Sequence, residues 1–188
     1  SLSAYSVILS GFASLTKYPI LGSLRASAQV VSYEIPIALS ILSVVIMANS
    51  LSLVDIINAQ KNLWFIFTQP IAFIIYLISS FAETNRAPFD LPEAESELVG
   101  GYHTEFSSMR FAWFFAGEYA HIIISSSIMT ILFLGGWYGP IKSGFWWFFI
   151  KVFILCYIFI WVRWTFPRFR YDQLMSLSWK FLIPISLI

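Results

Sequence analysis

Long apolar runs with hardly any charge dominate this chain and restrict it to few kinds of fold. Residues 63–82 carry no charged side chain, residues 26–54 carry only Glu34, residues 111–137 carry only Glu118, and residues 145–162 carry only Lys151. A helix needs about 20 mostly apolar residues to cross a bilayer. These four runs therefore predict membrane-spanning helices.

The composition supports a membrane protein. Hydrophobic residues make up 59% of the chain and charged residues only 11%, whereas about a quarter of the residues in a soluble domain are charged. The net charge of +1 gives no indication of nucleic-acid or polybasic lipid binding. The single cysteine, Cys156, excludes a disulfide framework and a thiolate metal site within the chain.

The apolar runs define the expected architecture. Residues 1–16 and 174–188 are apolar but short and predict partial spans, while residues 17–25, 55–62, 138–144 and 163–172 predict connectors or turns. The sequence therefore predicts an all-α fold. It is a polytopic transmembrane helix bundle with four complete spans and a partial span at each end, forming a single membrane domain over residues 1–188.

Charge asymmetry between the connectors predicts the orientation. Alternation of the spans places seven basic residues on one side, namely Lys17, Arg25, Arg86, Arg110, Arg163, Arg168 and Arg170, and three on the other, namely Lys61, Lys142 and Lys151. Basic residues concentrate in cytoplasmic loops. The first side is therefore predicted to face the cytoplasm or the mitochondrial matrix.

An acidic loop over residues 83–109 lies on this inner side. It holds six of the ten acidic residues. Pro88 and Pro92 remove amide donors and disfavour helix immediately before them, so a shaped loop is expected here. The six acidic residues are Glu83, Asp90, Glu93, Glu95, Glu97 and Glu105.

Two carboxylates inside predicted spans, Glu34 and Glu118, are energetically costly. A charged side chain at the centre of a spanning helix costs about 2.5–3.5 kcal/mol on insertion scales, and such groups usually face a cavity or a proton path. The structural alternative is that Glu34 caps a helix broken at Pro36, or that these acids pair with Arg25 or Arg110. Phe114, Glu118, His121 and Ser125 also recur at helical spacing on one face, which suits either a hydrated path or helix–helix contact.

Glu118 and His121 also form a Glu-x-x-His pattern, which is part of a di-iron site in helix bundles. Such a site needs two of these motifs and two further glutamates. The chain has two histidines, and the residue three before His103 is Gly100. A di-iron enzyme is therefore disfavoured.

Four stretches in order along the chain resemble NADH dehydrogenase subunit 1, the membrane subunit of respiratory complex I. They are the loop over residues 82–106, residues 22–26 leading to Val31-Ser-Tyr-Glu34, Phe115-Ala-Gly-Glu-Tyr119, and residues 163–175. The loop is long and unusual, which makes the resemblance specific. The helices that open the family fold have no counterpart here, so we expect either a separate polypeptide that supplies them or an incomplete sequence.

The resemblance implies a role in a larger assembly. The chain would form part of the ubiquinone tunnel, against quinone-site subunits of the peripheral arm and next to other membrane-arm subunits. Flavin and iron–sulfur clusters would reside in those partners, so this chain would hold no catalytic residue, metal or redox cofactor of its own. The expected location is the mitochondrial inner membrane, with the bacterial plasma membrane as the alternative.

The resemblance also assigns residues. The acidic chain that is thought to couple quinone reduction to proton movement corresponds to Glu34, Glu83, Asp90, Glu93, Glu95, Glu97, Glu105 and Glu118. The tunnel residues and charge partners correspond to Arg25, Arg86, Phe89, Arg163, Arg168, Arg170 and Asp172. If the turn around Arg86 is helical, Arg86 would reach Glu83 and Asp90 as a switchable partner. The alternative function is a proton- or ion-translocating subunit of a membrane-bound hydrogenase or antiporter module without quinone.

Overall fold

The computed structural model describes residues 2–13, 17–85, 88–90, 109–139, 144–167 and 169–187. These residues are helical or in short connections, with no strand among them, so the predicted all-α fold class is confirmed for this part of the chain. The helices are α1 (Leu2–Ala13), α2 (Lys17–Ala48), α3 (Leu53–Ala59), α4 (Phe65–Thr68), α5 (Pro70–Glu83), α6 (Met109–Phe133), α7 (Phe145–Thr165), α8 (Tyr171–Leu177) and α9 (Ile183–Leu187).

Three helices in the described ranges are long and apolar enough to cross a membrane: Pro19–Ala48 within α2, Ala112–Phe133 within α6, and Phe145–Thr165. The predicted fourth span, residues 63–82, is instead divided into the single turn α4 and the 14-residue α5. Gln69 separates them with φ −131° and ψ 62°. Pro70 accounts for the break, because proline disfavours helix in the residue before it and suits the first position of a new helix.

Two predicted connections are helical. Residues 17–25 form the first turns of α2 rather than a connector. Pro19 lies in the first turn, where its missing amide hydrogen costs nothing. Residues 53–59 form α3 where a polar turn was expected, and Asp55 in its first turn suits the positive end of the helix dipole. Ile56 and Ile57 bury this helix against the bundle.

Contacts between connections define two ends of the bundle. At one end the Phe169 amide donates to the Pro88 carbonyl at 3.0 Å. At the other end the Tyr138 hydroxyl donates to Asn58 Oδ1 at 3.0 Å. We call them the inner and outer ends, following the predicted charge asymmetry. Arg25 lies over the Tyr171 ring at the inner end and Lys61 over the Tyr138 ring at the outer end, as the alternation of spans predicts.

Two apolar clusters fill the interior. The inner cluster joins α2, α5, α7 and α8 through Tyr33, Phe81, Phe159 and Leu174. The outer cluster joins α2, α3, α4, α6 and α7, and its buried members include Val44, Ile56, Phe65, Phe133 and Leu155. Large apolar side chains also cover the outside, such as Trp146, Phe153 and Trp164, each at least three-quarters exposed. Such a surface suits contact with lipid or with other apolar chains.

A buried lysine closes the outer end of α6. Lys151 on α7 is only 7% exposed. Its Nζ donates to the carbonyl oxygens of Leu134, Gly136 and Tyr138 at 2.5, 3.1 and 2.6 Å. The ammonium also lies 4.4 Å from the centre of the Trp64 ring. The charge therefore sits at the negative end of the α6 dipole and satisfies carbonyl groups that lack helical partners.

The final helical segment contains a π-helical turn, Ser178–Leu182, between α8 and α9. Pro184 lies two residues after the end of this turn and has no amide hydrogen to continue the α-helical ladder. The Ser178 hydroxyl donates to the Ser32 carbonyl at 2.8 Å, and the Tyr33 hydroxyl donates to the Leu174 carbonyl at 2.9 Å. These bonds fix the last segment along the middle of α2.

Candidate functional site

The start of the acidic loop is anchored on α2 by Gln29. This side chain is fully buried, and its Nε2 donates to the Ala82 carbonyl at 2.8 Å and to the Phe89 carbonyl at 2.9 Å. The Ala82 carbonyl lies in the last turn of α5 and also accepts a hydrogen bond from the Asn85 amide at 3.3 Å. One amide group therefore fixes both the end of α5 and the first turn of the loop.

Aromatic packing fixes the same turn from the other side. Phe89 is buried and stacks on Phe169 with ring centres 5.6 Å apart, while the Tyr33 ring lies 6.2 Å away. Phe89, assigned to the tunnel by the resemblance, is thus part of the packed interior between α2 and the connection that follows α7. The neighbouring Asp90 is also buried.

The backbone after α5 does not have the geometry expected for an Arg86 helix turn. α5 ends at Glu83, and Asn85 has a φ of +51° in the left-handed region. α5 therefore does not continue to Arg86, and the pairing of Arg86 with Glu83 and Asp90 stays a prediction. Arg86 itself lies outside the described residues, as do Glu93, Glu95, Glu97, Glu105 and Arg168.

Among the described carboxylates, Glu83 has an identified ionisable partner. Its Oε2 lies 3.6 Å from Nε2 of His121 on α6, and the side chains are 22% and 37% exposed, respectively. Glu34 and Glu118 are half-buried on α2 and α6, and each takes part in an interaction with another residue, as does Asp90. α2 runs helically through Pro36, so Glu34 does not cap a broken helix.

Sequence reasoning placed His121 on a polar face but gave it no role. The polar residues at helical spacing indicated that they share one face of the helix. The structure confirms this for His121 and Ser125. His121 faces Glu83, and one turn further on the Ser125 hydroxyl is hydrogen-bonded to that of Ser80 on α5. Tyr76 also interacts with Ser125 and lies within electrostatic reach of Glu83. A polar seam, consisting of Glu83, Ser80, Tyr76, His121 and Ser125, therefore runs between α5 and α6.

The described charge partners predicted from the sequence lie on α2 and around the connection between α7 and α8. Arg25 is half-buried on α2, while Arg163, Arg170 and Asp172 are exposed on and beside the connection between α7 and α8. Asp172 occupies the first turn of α8. Among the described residues, no group of three or more His, Cys, Asp or Glu side chains could hold a metal ion.

The family is decided by a comparison over the whole chain. A model of the NADH dehydrogenase family matches residues 1–188. The chain belongs to the NADH dehydrogenase family. This confirms the resemblance seen in the sequence motifs.

The sequence of this chain is closely similar to those of curated relatives within the NADH dehydrogenase family. Two proteins named as subunits of NADH-quinone oxidoreductase, from Protochlamydia amoebophila and Syntrophotalea carbinolica, are 58% and 53% identical over 188 residues. A third such protein, from Geobacillus thermodenitrificans, is 51% identical over 192 residues. Each match covers all of this chain and 57 to 58% of the relative, so the chain spans somewhat over half their length. These relatives are bacterial and give no support to the mitochondrial location.

Proposed function

We propose that this chain is part of the membrane subunit of a proton-translocating NADH:ubiquinone oxidoreductase. In that role it forms part of the ubiquinone tunnel and couples quinone reduction to proton translocation through buried carboxylates. The names of its bacterial relatives support this reaction, and they make a bacterial plasma membrane the proposed location. The proposed partners are the quinone-site subunits of the peripheral arm and the adjacent membrane-arm subunits.

The observation that carries the coupling role is the junction at the inner end. Gln29 and Phe89 hold the first turn of the acidic loop against α2, and Glu83 at the end of α5 leads into the polar seam between α5 and α6. Reduction of a quinone consumes protons and changes local charge. Carboxylates that interact closely titrate as a coupled set, so such a change next to the loop would alter their proton occupancy.

Glu118 provides the second element of the proposed path. It lies on α6 one helical turn before His121, half-buried beside the seam. An ionisable group at this depth usually marks a pathway for protons or ions. Glu83 would exchange protons with the loop, and Glu118 would lie next along α6. Glu34 would occupy the corresponding level of α2.

The test separates electron transfer from proton pumping in native membrane vesicles. Glu83→Gln and Glu118→Gln each remove a titratable proton with little change of shape. We expect near-normal assembly and a proton-pumping rate reduced by about 100-fold or more, in keeping with the effect of losing a proton-transferring group. Asp55→Asn is the matched control, because Asp55 is an exposed carboxylate on α3 at the outer end. Full pumping in both glutamine variants would overturn the coupling role.

A further inference from the structure

The imidazole of His121 lies next to the carboxyl group of Glu83. Its Nε2 is shielded from solvent and has no hydrogen-bond partner among the described residues, and the Glu83 oxygen stands 3.6 Å away. A small rotation of either side chain brings the two atoms within reach for proton transfer. The shielded nitrogen is thus directed at a carboxyl group, while 37% of the His121 side chain remains exposed on α6.

The surface beside His121 is open. Gly117 lies one helical turn earlier on the same face, and a Cβ placed there would meet nothing within 4 Å. The imidazole therefore connects two environments: the seam between α5 and α6 on one side, and an uncovered notch at Gly117 on the other. Imidazole suits such a place because its two nitrogens can accept and release protons separately near neutral pH.

We propose that His121 is a proton-relay residue that passes protons between Glu83 and the notch beside Gly117. In one direction, the protonated Glu83 carboxyl gives its proton to Nε2, which leaves a carboxylate and an imidazolium. The imidazolium then releases a proton to water at the notch and becomes neutral again. The inference deepens the coupling role proposed above and rests on it.

The other titratable groups around His121 are few in the described structure. On α5 these groups are Glu83 and Tyr76, and Tyr76 is hydrogen-bonded to Ser125 of α6. α6 itself contributes Glu118 and Tyr119, and α7 packs on α6 with Cys156, whose thiol lies 3.6 Å from the Ser126 hydroxyl. Ile122 on α6 belongs to the inner cluster, which also holds Tyr33 of α2, and α2, α3 and α4 meet α6 in the outer cluster around Met129 and Phe133. Glu83 is therefore the group expected to exchange protons with His121.

The experiment uses the assembled complex in native membranes. His121→Gln keeps a polar side chain but removes the titration, and His121→Asn is a second variant should the first fail to assemble. We expect a fall in proton pumping of the order of 100-fold, the lower end of what a proton-transferring group contributes. The pH profile of pumping should also change, because the variant carries no imidazole at this position. Ser127→Ala, at an exposed hydroxyl elsewhere on α6, is the control and should pump normally.

A rescue series distinguishes a relay from a structural role. Imidazole and methylimidazoles of graded pKa, added to His121→Gly vesicles, should restore pumping in proportion to their basicity. Thiazole has a similar shape but is a far weaker base, so it should not. Unchanged pumping and an unchanged pH profile in His121→Gln would overturn the proposal, as would equal rescue by thiazole.

The same variants distinguish a failure of the His121 relay from a failure of the proposed coupling role. If Glu83→Gln abolishes pumping and His121→Gln does not, the relay fails and the coupling role stands. If Glu83→Gln pumps normally, the coupling role of Glu83 fails first. In the double variant, no further loss beyond that of Glu83→Gln is expected, because two residues on one path are not additive.

Discussion

The Nε2 of Gln29, fully buried on α2, lies 2.9 Å from the carbonyl oxygen of Phe89 at the start of the acidic loop. The same nitrogen donates to the Ala82 carbonyl at the end of α5. A single side chain thus couples the loop to the α2–α5 pair. A substitution of Gln29 should therefore alter the attachment of the loop without removing a carboxylate.

Gln29→Leu removes the donor to the buried Phe89 carbonyl and one of the donors to the Ala82 carbonyl, which keeps its bond from the Asn85 amide. An unsatisfied buried polar group costs about 1–3 kcal/mol. We therefore expect less assembled complex, a lower thermal inactivation temperature and reduced quinone reductase activity in what assembles. Val31→Ala, at a half-exposed site on the same helix, should behave like the parent. Normal stability and activity of Gln29→Leu would show that the loop is held by other contacts.

Phe89 offers a way to separate packing from quinone contact. Because Phe89 packs between Phe169 and Tyr33, Phe89→Ala should destabilise the complex by about 3–5 kcal/mol, as truncation of buried phenylalanines does. Phe89→Leu keeps most of the volume and should cost much less. Thermal inactivation of the two variants measures this difference. A large rise in the quinone KM with unchanged stability would instead assign Phe89 to the tunnel wall.

Lys151 should matter for stability although it lies far from the loop. Lys151→Met leaves the carbonyls of Leu134, Gly136 and Tyr138 without their shared donor. Hydrogen bonds to charged groups contribute about 1.5–3 kcal/mol each, so we expect a clear fall in the thermal inactivation temperature. Lys61→Met is the matched control, because Lys61 is exposed and only overlies the Tyr138 ring. Equal inactivation temperatures for the two variants would contradict a stabilising role of Lys151 at the outer end of α6.

Substitution of alanine for two of the glycines should change stability in opposite directions. Gly136 has a φ of +51°, and a Cβ there would lie 2.8 Å from Ile57 Cδ1, so Gly136→Ala should destabilise the outer end by more than about 1 kcal/mol. Gly117 lies inside α6 with open space around it, so Gly117→Ala should be neutral or stabilising by up to about 1 kcal/mol. Comparison of thermal inactivation checks the pair, and a more stable Gly136→Ala variant would contradict the packing at Ile57.

Much of the fold follows from local sequence rules. Long apolar runs with a single charge each predicted α2, α6 and α7, and the helical stripe predicted that His121 and Ser125 share a face. The charge-free run 63–82 did not reveal the break at Gln69, because Pro70 is compatible with both a kink within one helix and the start of a new helix. α3 was missed because its seven residues depend on the burial of Ile56 and Ile57 by the rest of the bundle.

The candidate site was less predictable. Its carboxylates are conspicuous in an apolar chain, but the roles of Gln29 and His121 depend on contacts between residues far apart in sequence. Gln29 reaches Phe89 across 60 positions. Uniformly apolar helices give little information on which face meets which neighbour, so such pairings emerge only from the packed bundle.

Photolabelling of native membranes with an azido-ubiquinone, followed by mass mapping of the labelled peptides, tests the central claim most directly. If the chain forms part of the quinone tunnel, label should appear within residues 22–34 or 81–118, and a quinone-site inhibitor should displace it. Strong, inhibitor-sensitive labelling of a neighbouring subunit, with none on this chain, would contradict the tunnel.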